Sequence, residues 1–319
     1  MRMPRSASAR APASIGNVGV GFDILGLAFG AAHDRVTASR HERAGARLGA
    51  VDGLVRELPA EPHRNTALAA AQAVLDAADA KFGAILSISK GIPLSAGMGG
   101  SAASAVAAAA AVNALLGSPF TRDQLLPFAL EGERASSDPP PWDNVVASLF
   151  GGLVLAAAEQ PALVRRLPIP KGLVAVLIHP SSRIETRAAR ALLAPDVPLR
   201  LAVEHSRRVA AFVAGCALGD LELMRAGFED LLVEPQRRHL LPCLPQVQHA
   251  AIEAGALGCS FSGSGPSVFA LAEQRQAPEV ERVMLAAFAD NDLPATAYRA
   301  PLGSEGVQVE VDDVDRVAA

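Results

Sequence analysis

Lys90-Gly91-Ile92-Pro93-Leu94-Ser95-Ala96-Gly97-Met98-Gly99-Gly100-Ser101-Ala102-Ala103-Ser104 follows an apolar run of strand length, Ile85 to Ile88, and opens directly into an alanine-rich run of helical length, Ser101 to Leu116. Glycines at 97, 99 and 100 let the backbone reach positive φ and approach a ligand closely. The helix start that follows presents unpaired N–H groups with a partial positive charge, so loop and helix together make an anion site suited to phosphates. Ser95, Ser101 and Ser104 add hydroxyls that can donate to an oxyanion or, in one case, ligate magnesium. The same residues also fit a plain glycine turn ahead of a close-packed helix, because alanine permits tight packing. Taken alone they leave both readings open. No Gly-Lys-Ser/Thr follows the glycines, which excludes a Walker A loop, and the spacing and the lack of a suitable acidic partner downstream exclude a dinucleotide fingerprint.

Around this loop lies a chain of 319 residues, 50% apolar and only 4% aromatic, which predicts a core of Ala, Val and Leu and enough length for two domains. A formal net charge of −4 offers no basic face for nucleic acid. Of the 29 basic residues only Lys81, Lys90 and Lys171 are lysines. Cys216, Cys243 and Cys259 are an odd number without metal-type spacing and read as reduced thiols of a cytoplasmic protein. No two histidines stand at i, i+3 or i, i+4, so no zinc site is expected. The basic N-terminal segment lacks the apolar core of a signal peptide. The alanine run, interrupted by Asn113, is too short and too weakly apolar to cross a membrane. The expectation is a soluble cytoplasmic protein with no nucleic-acid or membrane partner.

Strand-length apolar runs recur at Ile85 to Ile88, Gly152 to Ala156, Leu173 to Ile178 and Ser267 to Leu271. Helix-length runs lie between them at Asn65 to Ala78, Thr121 to Arg134, Leu199 to Leu218 and Glu279 to Ala289. The two kinds mix in no strict βαβα order, which points to an α+β fold. The charged, proline-rich stretch Arg165 to Lys171 separates two strand candidates and predicts domains over 1–168 and 169–319.

The stretch Pro93 to Ala102 resembles the second signature of the GHMP kinases (galactokinase, homoserine kinase, mevalonate kinase, phosphomevalonate kinase), Pro-x-x-x-Gly-Leu-Gly-Ser-Ser-Ala, with Met98 for Leu and Gly100 for the first Ser. Near the N-terminus, Ser14-Ile15-Gly16-Asn17-Val18-Gly19-Val20-Gly21-Phe22-Asp23 resembles the first signature in its homoserine kinase form, Ser-Ala-Asn-x-Gly-x-Gly-Phe-Asp. Ser262-Gly263-Ser264-Gly265-Pro266-Ser267 resembles the third. Glu131 to Val145 is similar to a Gly-Glu-x-x-Ser-Ser/Gly…His-x-Asp-Asn-Val segment of that branch, but Pro141 stands where the branch has His. The three signatures come in the family order.

The resemblance implies a two-domain GHMP kinase fold, with a ribosomal protein S5 domain 2-like N-terminal domain and a ferredoxin-like C-terminal domain. It implies ATP-dependent phosphorylation of the hydroxyl of L-homoserine with Mg²⁺. ATP would be held by Pro93, Ser95, Ala96, Gly97, Met98, Gly99, Gly100, Ser101, Ala102 and Ala103, by Lys90 ahead of the loop, and by Gly263, Ser264 and Gly265 beside it. Asn65, also a plausible N-cap, matches an Asn near the adenine. Ser101 and Glu133 are the implied metal ligands. For L-homoserine, Asp23 would pair the ammonium and Asn17 the hydroxyl, with Thr186 nearby. Arg190 and Arg237 would grip the carboxylate through parallel hydrogen bonds, and Arg187 shares a helix face with Arg190. Asn17, Asp23, Asp143 and Asn144 would form the catalytic set that the resemblance implies. Other GHMP kinases place an Asp base near Asn144, although a loose transition state needs little base help. Two alternatives stand beside this reading: a GHMP kinase for threonine, a sugar or a mevalonate-type acid, and a catalytically inactive ligand-binding relative, suggested by Pro141 and Gly100. A homodimer is compatible with the sequence.

Overall fold

The computed structural model describes residues 4–311; the outermost residues of the two expected domains, 1–3 and 312–319, lie outside them. The first half of the chain forms β1 (Ser6–Gly16), β2 (Leu25–His41), β3 (Gly45–Gly53), α1 (Thr66–Ala77), β4 (Gly83–Lys90), α2 (Gly100–Leu115), α3 (Arg122–Glu133), α4 (Trp142–Phe150), β5 (Leu153–Glu159) and β6 (Ala162–Leu167). At 17 residues, β2 is long enough for two partners beyond β1: Asp34–His41 pairs antiparallel with β4, and Leu25–Leu27 with β5. β3 closes that end of the sheet in parallel with β4.

Helix α2 is the centre of this half. Every residue from Ala102 to Leu115 is buried, as expected of a helix apolar all round. It packs against β1 and β2 and against α1, α3 and α4, which alanine side chains allow at short range. Its one large polar residue, Asn113, donates to the Phe120 carbonyl at 2.9 Å and accepts the Phe120 N–H at 3.0 Å, fastening the turn into α3. Thr121 and Gln124 then form a reciprocal capping box at the start of α3.

The second half forms β7 (Leu173–Pro180), α5 (Thr186–Ala191), α6 (Leu199–Leu218), α7 (Leu221–Ala226), α8 (Glu234–Arg237), α9 (Leu244–Glu253), β8 (Gly258–Phe261), β9 (Val268–Glu273), α10 (Ala277–Ala289), β10 (Ala295–Pro301) and β11 (Gln308–Val311). Its sheet runs β10-β7-β9-β8, all antiparallel, with α9 and α10 sharing its second core. In chain order those strands lie 4-1-3-2, the ferredoxin-like arrangement.

Two expectations need correction. Arg165–Leu167 belongs to β6, hydrogen-bonded to β5, so the passage from β6 to β7 is confined to residues 168–172. Nor does the first sheet end at 168, because β11 returns to pair with Ala7–Arg10 of β1. It covers backbone N–H and C=O groups that an open edge would leave unpaired.

Candidate active site

Three loops converge on one cavity of about 490 Å³: residues 17–24 after β1, 91–99 after β4, and 262–267 between β8 and β9. Backbone bonds tie them together. Ser14 N–H donates to the Met98 carbonyl (3.0 Å), Ser267 N–H to Ala96 (3.2 Å) and Gly263 N–H to Gly16 (3.1 Å). Ser262 Oγ donates to the Gly97 carbonyl at 2.6 Å and Asn17 Nδ2 to the Gly263 carbonyl at 3.0 Å. Glycine is required at two of these approaches. A Cβ on Gly97 (φ +72°) would lie 2.5 Å from the Ser262 carbonyl oxygen, and one on Gly99 (φ +63°) 1.9 Å from Ser14 Oγ. The glycine run is therefore more than a turn. Gly99 is the left-handed N-cap of α2 and supplies no side-chain cap, which leaves the first N–H groups of a 16-residue helix at the wall formed by Gly99, Gly100 and Ser101.

Asn65 lines the same cavity and caps α1, accepting from Ala67 N–H (3.1 Å) and Leu68 N–H (3.3 Å) and donating to the Pro59 carbonyl (2.8 Å). The residues expected around the nucleotide stand at different depths. Lys90, expected at the nucleotide, borders the cavity, and its ammonium meets Asp34, the Gly100 carbonyl (2.9 Å) and Ser104 Oγ (2.9 Å). Ala102 and Ala103 lie behind the cavity wall, and Ala103 N–H is bound within the helix to the Gly99 carbonyl. Gly265 stands behind Gly97 rather than in the wall. Gly100 has its own reason: a side chain there would press on Ile92, with Cβ 3.0 Å from Ile92 Cγ2.

On the acidic side, Ser101 Oγ donates to Glu133 Oε1 at 2.6 Å, while Glu133 Oε2 is buried with no partner. Burial raises the Glu133 carboxyl to about 7, against the pull of the Ser101 hydrogen bond and the Lys90 charge. Asp143 accepts from Asn17 N–H (2.7 Å), Asn144 N–H (2.7 Å) and Asn144 Nδ2 (2.9 Å), and Ser14 Oγ donates to Asn144 Oδ1 at 2.9 Å. Burial first, and the Asp23 charge second, push the Asp143 carboxyl up. Pro141 is a buried wall residue and the N-cap of α4, where it offers no side-chain cap.

At the far end Arg190 grips Asp23 with both terminal nitrogens, at 2.7 and 2.8 Å. The loop that presents Asp23 is unusual: Asn17, Val18 and Asp23 all have positive φ (66°, 46° and 60°), a conformation disfavoured above all for β-branched Val. Two guanidinium groups lie near the Phe22 ring, Arg190 at 5.3 Å and Arg237 at 5.2 Å from its centroid. Arg237 is buried and donates through Nε to the Ala189 carbonyl at 3.0 Å. Burial, then the neighbouring Arg190, lowers it to about 10, so it stays charged at neutral pH. Thr186 and Arg187 also reach the wall, but it is Arg190 that meets Asp23.

Comparisons with known proteins place the chain in a family. The family model described as "GHMP kinases N terminal domain" matches residues 65–152, and "GHMP kinases C terminal" matches 211–290. A homoserine kinase of Xanthomonas campestris pv. campestris (strain B100) is 43% identical over 306 residues, covering 96% of this chain and 94% of that protein. The chain belongs to the GHMP kinase family. A homoserine kinase of Xylella fastidiosa (strain 9a5c) is 42% identical over 95% of this chain and 94% of its own length. The crystal structure of homoserine kinase from Cytophaga hutchinsonii superimposes with a TM-score of 0.92 at 36% identity, covering 97% of this chain and 99% of that one. Mevalonate kinase of L. major, at 18% identity and a TM-score of 0.66, shares the fold.

As a GHMP kinase the chain is an ATP-using phosphotransferase for a small molecule, with the α+β fold of that family. Sequence reasoning missed Ser14, Asp34 and Ser262, which position the wall rather than form it. Asp34 did carry a signal. It falls on the inward side of an alternating strand, in step with the buried Ala32, Val36 and Ala38, where a charge needs a partner.

Proposed function

We propose that this GHMP kinase transfers the γ-phosphoryl group of ATP to the side-chain hydroxyl of L-homoserine, giving O-phospho-L-homoserine for threonine biosynthesis. The observation that carries the reading is the arrangement of Asp23, Arg190 and Arg237 around Phe22, one acid and two guanidinium groups at one end of the cavity. A zwitterionic amino acid matches it: its ammonium would take Asp23 and its carboxylate the arginines, bidentate at best. A sugar supplies neither charge and a mevalonate-type acid supplies only one. The relatives named homoserine kinase support the same acceptor.

The loop and the helix start hold the phosphates, and Asn17 and Asn144 orient the acceptor hydroxyl. Asp143, whose carboxyl is raised by burial, is the group suited to receive the hydroxyl proton, a modest demand in a loose transition state. The donor set fits Mg²⁺: the orphaned Glu133 Oε2 beside Ser101 Oγ offers few hard oxygens and leaves the remaining coordination to phosphate and water. When bound, the ion would neutralise phosphate charge. Three buried free thiols, Cys216, Cys243 and Cys259, support a reducing, cytoplasmic setting.

An ADP-release assay with homoserine, threonine, mevalonate and galactose, run with and without Mg²⁺, tests the reading. Turnover should be highest with homoserine and should require the ion. Turnover with another acceptor and none with homoserine would overturn the assignment, and no turnover with any would favour an inactive relative.

A further inference from the structure

We propose that Asp34 is a positioning residue for the phosphate loop, and that Lys90 serves the nucleotide only as its counter-ion. The proposal rests on the ATP-binding half of the reading above, not on the acceptor.

Asp34 projects from β2 beneath the loop and is fully buried, and Lys90 is 2% exposed. Its two oxygens hold both ends of the loop. Oδ1 accepts the N–H groups of Gly91 and Ile92, both at 3.1 Å, where the chain leaves β4. Oδ2 accepts from Ser104 Oγ at 2.7 Å, one turn into α2, and from the Lys90 ammonium. Lys90 in turn binds the carbonyl of Gly100, the first residue of that helix. One ion pair therefore fixes where the loop begins and where the helix N–H groups start, while the glycines between remain pressed against Ser14 and residues 262–265.

The charge balance matters as much as the bonds. Although Lys90 borders the cavity, its three donors are used and Asp34 offsets its charge, so it has no free donor for a phosphate. The anion then meets the helix-start N–H groups, whose position the pair controls. Removing one partner would leave the other charge buried and uncompensated, and it would release both ends of the loop together. Small displacements of such donors weaken the phosphate-bound state far more than they disturb a distant substrate pocket.

The test compares Asp34→Asn, Lys90→Met, the double variant and Ser104→Ala, which keeps the ion pair and removes one hydrogen bond. ADP binding is measured by calorimetry without acceptor, KM for ATP and for the acceptor by steady-state kinetics, and folding by thermal melting. Asp34→Asn and Lys90→Met should each weaken ADP and raise the KM for ATP by about tenfold or more, with the acceptor KM held within about twofold. Ser104→Ala should shift the same two quantities by roughly threefold. The double variant should be no worse than the poorer single one, because residues acting as one unit are non-additive.

Losses that multiply in the double variant would show that Lys90 touches phosphate itself and would overturn the proposal. So would ADP binding unchanged in the single variants, or ATP and acceptor constants moving together in step with the melting temperature. If Asp34→Asn does not fold, Ser104→Ala and Lys90→Met decide by the same nucleotide-confined shift. Tight ADP binding without phosphorylation of homoserine would sink the acceptor assignment and leave this one standing.

Discussion

Replacing Glu133 by Gln should stabilise the ligand-free protein at alkaline pH while removing most of its activity. Burial is the main reason that its carboxyl rises from 4.5 to about 7. A raised folded-state value means that the folded protein holds the proton more tightly than the unfolded chain does. The associated stabilisation is then complete below the unfolded value and is lost as pH rises through the folded one. A rise from 4.5 to about 7, at about 1.36 kcal/mol per pH unit, amounts to roughly 3 kcal/mol lost by pH 8. Glutamine keeps the shape and can still accept from Ser101, but it does not ionise. The variant should therefore melt about 6 °C above the parent at pH 8, by roughly 2 °C per kcal/mol for a chain of this size, and only about 2 °C above it at pH 5. Scanning calorimetry from pH 5 to 8 without nucleotide or Mg²⁺ checks this. Adding both should restore the parent's advantage, since only an ionised Glu133 can ligate the ion, and kcat of the variant should be at least about tenfold lower, roughly 1.4 kcal/mol. A melting difference independent of pH, or a variant that melts lower throughout, would refute the reasoning.

Gly99→Ala places a methyl group 1.9 Å from Ser14 Oγ on backbone at φ +63°; stability should fall by about 2–4 kcal/mol with loss of nucleotide binding, and a variant that binds ADP normally would contradict the tight packing of the three loops. Asp23→Asn should raise the KM for homoserine by about 10–100-fold, the 1.5–3 kcal/mol of a charged hydrogen bond, with the KM for ATP unchanged. Arg190→Lys should fare no better, because lysine cannot reproduce the two-pronged grip, so full activity in that variant would count against the assignment.

Local signals were legible where the backbone itself demands particular residues. Helix α6 runs from Leu199 to Leu218 as read from its apolar spacing, and Asn65 and Thr121 mark the starts of α1 and α3 by their capping chemistry. The glycines at 97 and 99 announce their loop because no other residue fits those approaches. What was hidden depends on distant partners. Strand β6 is largely exposed, so its Arg165-Arg166 pair gives no apolar pattern and reads as a linker. The return of β11 to β1 joins residues some 300 positions apart and has no local signature. Lys90 shows the same limit within the site: nothing near it in the chain announces that its ammonium meets Asp34 on another strand.

The two ion pairs at this site differ in burial and in what they face. Asp34 and Lys90 are 0% and 2% exposed and their remaining valences are filled by Ser104, the Gly100 carbonyl and two backbone N–H groups. Opening that pair would strand two buried charges, so it stays closed through the reaction. Asp23 and Arg190 are 31% and 20% exposed and face the cavity, and Arg190 Nε has no partner. A zwitterion can enter between them and return an ammonium to one and a carboxylate to the other. An acceptor with only one of those groups would part the pair and satisfy half of it. If the proposed roles of Asp23 and Arg190 hold, deaminated and decarboxylated analogues of homoserine should each bind more weakly than homoserine itself. Pro141 is an apolar element of the same wall, so on the proposed reading recognition falls to the charged pair and Arg237.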